Sequence, residues 1–173
     1  MAAWAVNADG VAHLAKAATE HDITLVHIST EYVFDGTKDV YSEDDAICPL
    51  SEYGKSKAGG DKHAADAPKH YLIRTTWVIG DGKNFVRTML GLGKKGIEPS
   101  VVSDQIGRLT FTGELTRAID HLLSTNAAYG TYNVTGGGEP ASWADVTRAI
   151  FKDAGYDLQV TDITTAQYFA DKP

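Results

Sequence analysis

The sequence is poor in cysteine: its 173 residues contain one, Cys48. A lone thiol excludes a disulfide within the chain, so we expect a protein of a reducing compartment, the cytoplasm. No histidine or acidic residue is arranged around Cys48 in an obvious catalytic motif, and Pro49 follows it. This favours an ordinary loop residue over a nucleophile.

Long apolar runs and clusters of basic residues are also missing. No run of about 18 apolar residues occurs, and the first residues lack the pattern of a signal peptide, so we expect no membrane association. The net charge is −7, and Lys and Arg are scattered along the chain, which argues against nucleic-acid binding. We also predict no metal site.

The sequence does contain alternating helical and strand patterns. With 43% apolar and 23% charged residues, the chain is typical of a globular protein. The periodicity predicts helices over about 7–21, from Ser51 through Lys57 onward, from Asn84, over 113–126 and over 142–151. It predicts strands over 24–29, 71–75, 100–103, 132–135 and 158–163. The alternation predicts an α/β fold with a mostly parallel, Rossmann-like sheet.

Two stretches carry the chemistry. Tyr53 and Lys57 are four residues apart in a predicted helix, so they lie on one face. We expect the ammonium to lower the pKa of the phenol, which could then give a proton to a developing alkoxide. Thr30, at the end of a predicted strand, can supply a hydroxyl to the same oxygen. This is a site for reducing a carbonyl group by hydride transfer, although a Tyr-x-x-x-Lys pair by itself usually marks a solvated helix face.

Glycines elsewhere do not form a dinucleotide-binding turn. The string Gly91-Leu92-Gly93-Lys94-Lys95-Gly96 matches G-x-G-x-x-G, but a predicted helix precedes it where a strand is required. We therefore expect these glycines to end that helix and form a loop. The pair at 59–60 lies inside the helix of Tyr53, where close packing against another backbone would explain it.

The residues resemble the dTDP-4-dehydrorhamnose reductase family of extended short-chain dehydrogenase/reductases. The resemblance rests on the segments 26–36, 53–57, 74–78, 84–90 and 102–107, with Pro49 and the glycines before Ser142-Trp143. It implies that a strand, a Gly-rich cofactor turn and further βα units precede residue 2 in the family, and that its members continue past residue 173. It also implies a remainder of the NAD(P)-binding domain over 1–76, and an interleaved, mainly substrate-binding part over 77–173.

The resemblance implies a reaction and a role for each site residue. NADPH, or NADH, would reduce the C4 ketone of dTDP-4-dehydro-L-rhamnose, and Tyr53 would donate the proton. Lys57 would hold the nicotinamide ribose, with Ile28 also on the cofactor side. Thr30 would orient the ketone oxygen, and Glu31 stands where the family has an Asp that contacts the substrate.

Further candidates lie on the substrate side. The resemblance implies that Trp77 offers a flat face to the nucleotide-sugar, and that Asn84, Phe85 and Gln105 lie near it. A buried tryptophan at a strand end, and an ordinary turn at Gln105, are the structural alternatives.

The sequence also departs from the family. Besides Glu31, Ile79 replaces a usual Tyr, Leu109 a common Pro, and Asp61 a usual Glu.

Two other functions stay open. One is a nucleotide-sugar epimerase or dehydratase of the same superfamily, and the other is a non-catalytic regulatory subunit with this fold. A homodimer, or a fusion to another activity of the rhamnose pathway, is also open. We expect this 173-residue chain by itself to bind NADPH poorly, because no phosphate-binding turn is present in it.

Overall fold

A computed structural model of the chain describes residues 2–170 and divides into two compact units. The first unit comprises 1–76 and 114–135, and the second comprises 77–113 and 136–173. Residues 1 and 171–173, at the outer ends of the two predicted domains, lie outside the described residues. The assignment of the predicted domains to cofactor and substrate stays a prediction.

The helices and strands alternate along the chain. The α-helices are α1 (Ala2–Trp4), α2 (Gly10–Glu20), α3 (Glu52–Ala65), α4 (Phe85–Lys94), α5 (Thr112–Ser124), α6 (Trp143–Asp153) and α7 (Thr165–Phe169), with a π-helical turn at Ala5–Asp9 and a 3₁₀ turn at Glu31–Val33. The strands are β1 (Leu25–Thr30), β2 (His70–Thr75), β3 (Val78–Ile79), β4 (Ser100–Val102), β5 (Ile106–Gly107), β6 (Thr110–Phe111), β7 (Gly130–Asn133), β8 (Ala141–Ser142) and β9 (Thr161–Ile163).

The first unit is built on a parallel sheet with the strand order β1-β2-β7. β2 lies in the centre, and successive side chains of its buried run point to opposite faces of the sheet. On one face Leu72 packs with Val11 of α2 and Ala64 of α3. On the other face, Tyr71 and Ile73 pack against α5. Helices therefore cover both faces of a parallel sheet, as in Rossmann-like folds, and this confirms the predicted fold class.

Two strand ends of this sheet meet at one edge. β1 and β2 run parallel and in register, so that Thr30 lies opposite Thr75. The residues that follow β1 and β2 therefore lie close together at the carboxyl edge of the sheet. Ligands commonly bind at this edge of an open parallel sheet.

The second unit contains small pairs of strands and a separate core. β3 pairs with β6 and β4 with β9, both parallel, while β5 and β8 are antiparallel. The buried core comprises Met89, Val101, Ala144 and Phe151, contributed by α4, β4 and α6. Helix α6 begins with a capping box, in which Ser142 and Asp145 satisfy each other's backbone N–H groups, as the sequence predicted.

Some predicted boundaries were wrong. The first helical segment begins at Ala2 rather than at residue 7 and passes through a π-helical turn at Ala5–Asp9. The strand predicted over 132–135 is β7, which begins two residues earlier and ends at Asn133. Gly91 and Gly93 lie inside α4 and do not end it, whereas Gly96, with a φ of +68°, follows its last turn.

The explanation predicted for the paired glycines of α3 is confirmed for Gly60, whereas Gly59 lies against the side chains of Trp4 and Ala8. A Cβ atom on Gly60 would lie 2.0 Å from the backbone oxygen of Asn7 in the π-helical turn. The backbones of the two helical segments thus approach more closely than any side chain would permit.

Candidate functional site

The first turn of α3 holds Tyr53 beside the end of β1. Ser51 caps the helix: its hydroxyl accepts a hydrogen bond from the backbone N–H of Gly54 at 3.0 Å. Gly54 has no room for a side chain, since an added Cβ would lie 2.2 Å from the backbone oxygen of Tyr32. This contact brings Tyr53 next to the turn after β1, where its ring meets Tyr32 edge-to-face with the centroids 6.1 Å apart.

Lys57 lies one helical turn after Tyr53, on the same face of α3. Its ammonium donates a hydrogen bond to the backbone oxygen of Ile28 in β1, at 2.6 Å. Ile28 was predicted on the cofactor side, and the structure shows its carbonyl group as the anchor of this lysine. The first unit therefore gathers Thr30, Tyr53 and Lys57 around the end of β1.

The pKa of Tyr53 differs from the predicted direction. Partial burial raises the pKa of the phenol, and the negative charge of Glu31 raises it further. The expected dominance of the Lys57 charge is thus wrong. The ammonium is engaged with the carbonyl of Ile28, and the nearby carboxylate and the loss of water oppose ionisation of the phenol.

The Glu31 carboxylate accepts hydrogen bonds from two threonine hydroxyl groups. Thr30 Oγ1 donates to Glu31 Oε2 at 3.1 Å, and Thr76 Oγ1 donates to Glu31 Oε1 at 3.0 Å. Burial raises the pKa of the Glu31 carboxyl, although these hydrogen bonds act in the opposite direction. The arrangement follows from the parallel register, because Thr30 ends β1 and Thr76 follows the last residue of β2.

Sequence reasoning missed Thr76. The residue sits in the stretch 74–78 that carries the family resemblance, but no role was assigned to it. Its position directly after a predicted buried strand was the available signal, since polar groups after neighbouring parallel strands meet at one edge.

The predicted substrate-side residues Trp77, Asn84, Phe85 and Gln105 all belong to the second unit. Trp77 stacks on Trp143, with the ring centroids 3.6 Å apart and an interplanar angle of 10°. Gly107 also lies close to the indole, since a Cβ there would be 2.8 Å from the Cε2 atom of Trp77. Trp143 therefore covers one face of the indole, and the side chain is only partly buried. The predicted contact of Trp77 with a nucleotide-sugar stays a prediction.

The other three side chains also contact protein. Asn84 caps α4: its Oδ1 accepts from the backbone N–H of Arg87 at 3.0 Å, and its Nδ2 donates to the backbone oxygen of Gly80 at 2.6 Å. Phe85 packs against Trp143, with the centroids 4.4 Å apart. Gln105 Nε2 donates to Thr165 Oγ1 at 3.0 Å. Their contribution to substrate binding stays a prediction.

The polar groups around β1 fit one part of a nicotinamide cofactor. An ammonium and a phenol on one helix face, beside the end of β1, are suitable partners for ribose hydroxyl groups and a carbonyl oxygen. Among residues 2–170, no group of three or more His, Cys, Asp or Glu side chains is placed to hold a metal ion. Within the same residues, no helix has both the length and the apolar character to cross a membrane.

Comparison with known proteins gives a consistent picture. The chain is 41% identical to a dTDP-4-dehydrorhamnose reductase of Aggregatibacter actinomycetemcomitans, over 96% of this chain and 61% of that protein. A crystal structure of the reductase from Bacillus anthracis in complex with NADP superimposes with a TM-score of 0.88 at 37% identity, covering 94% of this chain and 58% of the other. A Clostridium acetobutylicum dTDP-4-dehydrorhamnose reductase gives the same TM-score at 42% identity, with the same two coverages.

The chain spans about 60% of the length of the curated relatives that it matches. The model of one family, described as the RmlD substrate binding domain, matches all of residues 1–173. The match includes both units and every residue discussed above. On this evidence the chain belongs to the RmlD substrate binding domain family.

Proposed function

We propose that the protein reduces the C4 ketone of dTDP-4-dehydro-L-rhamnose to give dTDP-L-rhamnose, with NADPH as the reductant. The observation that carries the proposal is the convergence of Thr30, Tyr53 and Lys57 at the end of β1 in the first unit. The relatives named above as dTDP-4-dehydrorhamnose reductases support the substrate, and the NADP complex of one of them supports the cofactor. A cytoplasmic location, favoured by the single cysteine, belongs to the same proposal.

The proposed chemistry divides between the cofactor and the chain. NADPH supplies a hydride, and the chain supplies a proton and positions the reacting groups. Tyr53 donates its phenolic proton to the ketone oxygen as negative charge develops there. Its raised pKa keeps the phenol protonated at neutral pH, so the donor form is present before the reaction.

Lys57 and Thr30 support this proton transfer. The ammonium of Lys57, fixed on the Ile28 carbonyl, would bind the nicotinamide ribose and stabilise the phenolate that Tyr53 becomes. Thr30 would orient the ketone oxygen once its hydroxyl group is released from Glu31.

The decisive test is a Tyr53→Phe variant of the polypeptide encoded by the whole reading frame. Loss of the proton donor should lower kcat for NADPH oxidation by about 10²- to 10⁴-fold, the usual contribution of a general acid. Binding of the nucleotide-sugar, measured by calorimetry, should remain because the phenyl ring keeps its packing against Tyr32. Undiminished turnover would refute the role of Tyr53.

A panel of nucleotide-sugars tests the substrate. The proposal expects NADPH oxidation with 4-keto sugars carrying dTDP and none with sugars that lack the ketone. An epimerase or dehydratase would instead convert substrates without net consumption of NADPH. A regulatory subunit would consume no NADPH with any of them.

A further inference from the structure

Thr76 lies directly after β2 and is joined to Glu31, which lies directly after β1. Its Oγ1 donates a hydrogen bond to Glu31 Oε1 at 3.0 Å, and the residue is only 7% exposed. The other carboxylate oxygen of Glu31, Oε2, accepts from Thr30 Oγ1 at 3.1 Å. One carboxylate therefore links the carboxyl ends of two neighbouring strands, with one threonine on each of its oxygens.

The oxygen of Thr30 has a second partner that fixes its place. The backbone N–H of Tyr32 donates to Thr30 Oγ1 at 3.3 Å, because Thr30 is the N-cap of the 3₁₀ turn. The oxygen can keep this bond while the hydroxyl hydrogen turns about the Cβ–Oγ1 bond. Moving the hydrogen from Glu31 to a ketone oxygen therefore requires the rotation of one hydroxyl group and no displacement of the backbone.

That rotation removes a hydrogen-bond donor from the Glu31 carboxylate. Glu31 is partly buried, and a carboxylate that loses its donors in such a place is destabilised. With Thr76 in place, Oε1 keeps a donor while Oε2 loses the one from Thr30. Without the hydroxyl group of Thr76, the carboxylate would keep neither threonine, so the release of Thr30 would cost more free energy.

We propose that Thr76 is a positioning residue of the reduction: it holds the Glu31 carboxylate at the end of β2, so that Thr30 can turn its hydroxyl hydrogen toward the ketone oxygen. This inference rests on the proposed function, because it concerns one step of that reduction. Thr76 acts through Glu31 and Thr30, and no contact with the substrate is assigned to it.

The titratable groups around Glu31 do not replace the threonines as its donors. Tyr32 on the 3₁₀ turn and Tyr53 on α3 both have a raised pKa, chiefly through burial and further through the charge of Glu31. Lys57 on α3 donates to a backbone carbonyl group of β1, and Arg74 on β2 faces a carboxylate of α3. The two threonine hydroxyl groups are therefore the side-chain donors that hold the carboxylate.

Thr75 provides a matched control, one residue earlier in the chain. It is also buried, at 5% exposed, and its Oγ1 makes no hydrogen bond with a described residue. Thr75→Val and Thr76→Val thus remove the same hydroxyl group from neighbouring buried positions, but only the second removes a bond to Glu31. Thr76→Ser keeps the donor and serves as the rescue variant.

The first measurement is the pKa of Glu31 in the polypeptide of the whole reading frame, without substrate. Glutamate labelled with ¹³C at the side-chain carboxyl group is titrated by NMR, and the Glu31 signal is assigned by its absence in Glu31→Gln. Burial raises this pKa, and the hydrogen bond from Thr76 opposes the rise because it favours the charged form. T76V should therefore raise the pKa by about one further unit, whereas T75V and T76S should titrate like wild type.

The second measurement is the rate of NADPH oxidation with the keto sugar by the same polypeptides. T76V should lower kcat by about tenfold and change KM less, since the carboxylate then loses both threonines when Thr30 is released. T76S should recover most of this loss, and T75V should keep the wild-type rate. A substitution that only disturbed packing would not be rescued by serine, which lacks the methyl group of threonine.

The variants separate this inference from the proposed function. Valine has nearly the shape of threonine, and circular dichroism checks the fold; Thr76→Ala replaces T76V in both measurements if the valine variant does not fold. An unchanged Glu31 titration, or an unchanged kcat, in the folded variant overturns the inference. A wild-type polypeptide that oxidises no NADPH with any 4-keto sugar refutes the proposed function instead, and the titration still shows whether Thr76 holds Glu31.

Discussion

At the scale of single residues, the notable feature is competition for one proton. A hydroxyl group has one hydrogen to donate, and Thr30 gives it to Glu31. Thr30 can donate to a ketone oxygen only after this bond is broken or Glu31 is protonated. In the proposed reaction, the Glu31 carboxylate therefore competes with the ketone oxygen for the Thr30 hydrogen.

Glu31 should make stability depend on pH in a predictable direction. Its folded-state pKa is raised above 4.5, so the folded chain binds this proton more tightly than the unfolded chain does. This stabilisation is fully present below the unfolded-state pKa and is lost as the pH rises through the folded-state value. The free energy of unfolding of Glu31→Gln, relative to wild type, should accordingly increase from about pH 4 upward.

Urea denaturation at several pH values measures this difference. The slope with pH is the decisive quantity, because it does not depend on how well the amide replaces the two hydrogen bonds. Glu52→Gln serves as the control, since Glu52 is exposed and its pKa is lowered by Lys55. A difference between E31Q and wild type that stayed constant with pH would contradict the raised pKa.

The phenol of Tyr53 should respond to the same substitution. The negative charge of Glu31 is one cause of the raised pKa of Tyr53, so E31Q should lower that pKa toward its ordinary value. Tyrosinate absorbance measured against pH, with the signal of the matching Tyr53→Phe variant subtracted, isolates this residue. Equal ionisation of Tyr53 in E31Q and wild type would show that the two groups do not interact.

At the scale of helices and strands, α4 shows that a glycine pattern has several structural meanings. Gly91 is exposed, and a Cβ there would meet no atom within 4 Å. Gly93 is buried, and a Cβ there would lie 2.3 Å from the ring of Tyr156. Helix α4 thus contains Gly91, where a side chain would have room, and Gly93, where packing against Tyr156 leaves none.

This contrast predicts opposite effects of alanine in the two positions. Gly91→Ala should raise the free energy of unfolding by about 0.5–1 kcal/mol, since alanine favours a helix over glycine. Gly93→Ala should lower it by about 1–3 kcal/mol, because Tyr156 must shift to accept the methyl group. Urea denaturation of both variants, followed by the fluorescence of Trp77 and Trp143 in that unit, tests the pair. Equal effects would contradict the packing assigned to Gly93.

Helices and strands could be predicted from the sequence where residues close together in the chain determine them. The Ser51 cap, the buried run of β2 and the capping box at Ser142 are encoded within a few residues. The meeting of Thr30 with Thr76 at Glu31 depends on parallel register, which joins residues 46 positions apart in the chain and follows from no local pattern. The stacking of Trp77 on Trp143 could not be predicted from a local pattern either, because it depends on tertiary packing within the second unit.

At the scale of the whole molecule, the chain carries its proposed chemistry and most of its proposed substrate contacts in different units. Thr30, Glu31, Tyr53 and Lys57 belong to the first unit, which also receives α5 and β7 from later in the chain. Trp77 and Gln105 belong to the second. The resemblance predicted such an exchange of segments, although which ligand each unit binds remains a proposal.

Cofactor affinity depends on which parts of NADPH the described residues can contact. Among the described residues, the polar groups at the end of β1 fit the nicotinamide ribose. Gly91 and Gly93 lie inside α4 and Gly96 follows it, so this glycine string does not open a helix whose N–H groups could hold a pyrophosphate. The 173-residue polypeptide should therefore bind NADPH too weakly to saturate in a calorimetric titration. Lys57→Ala should weaken the residual binding further, and Gly91→Ala, remote from these groups in the sequence, should leave it unchanged. Tight, saturable binding to the 173-residue polypeptide would show that its residues hold the phosphates as well as the ribose.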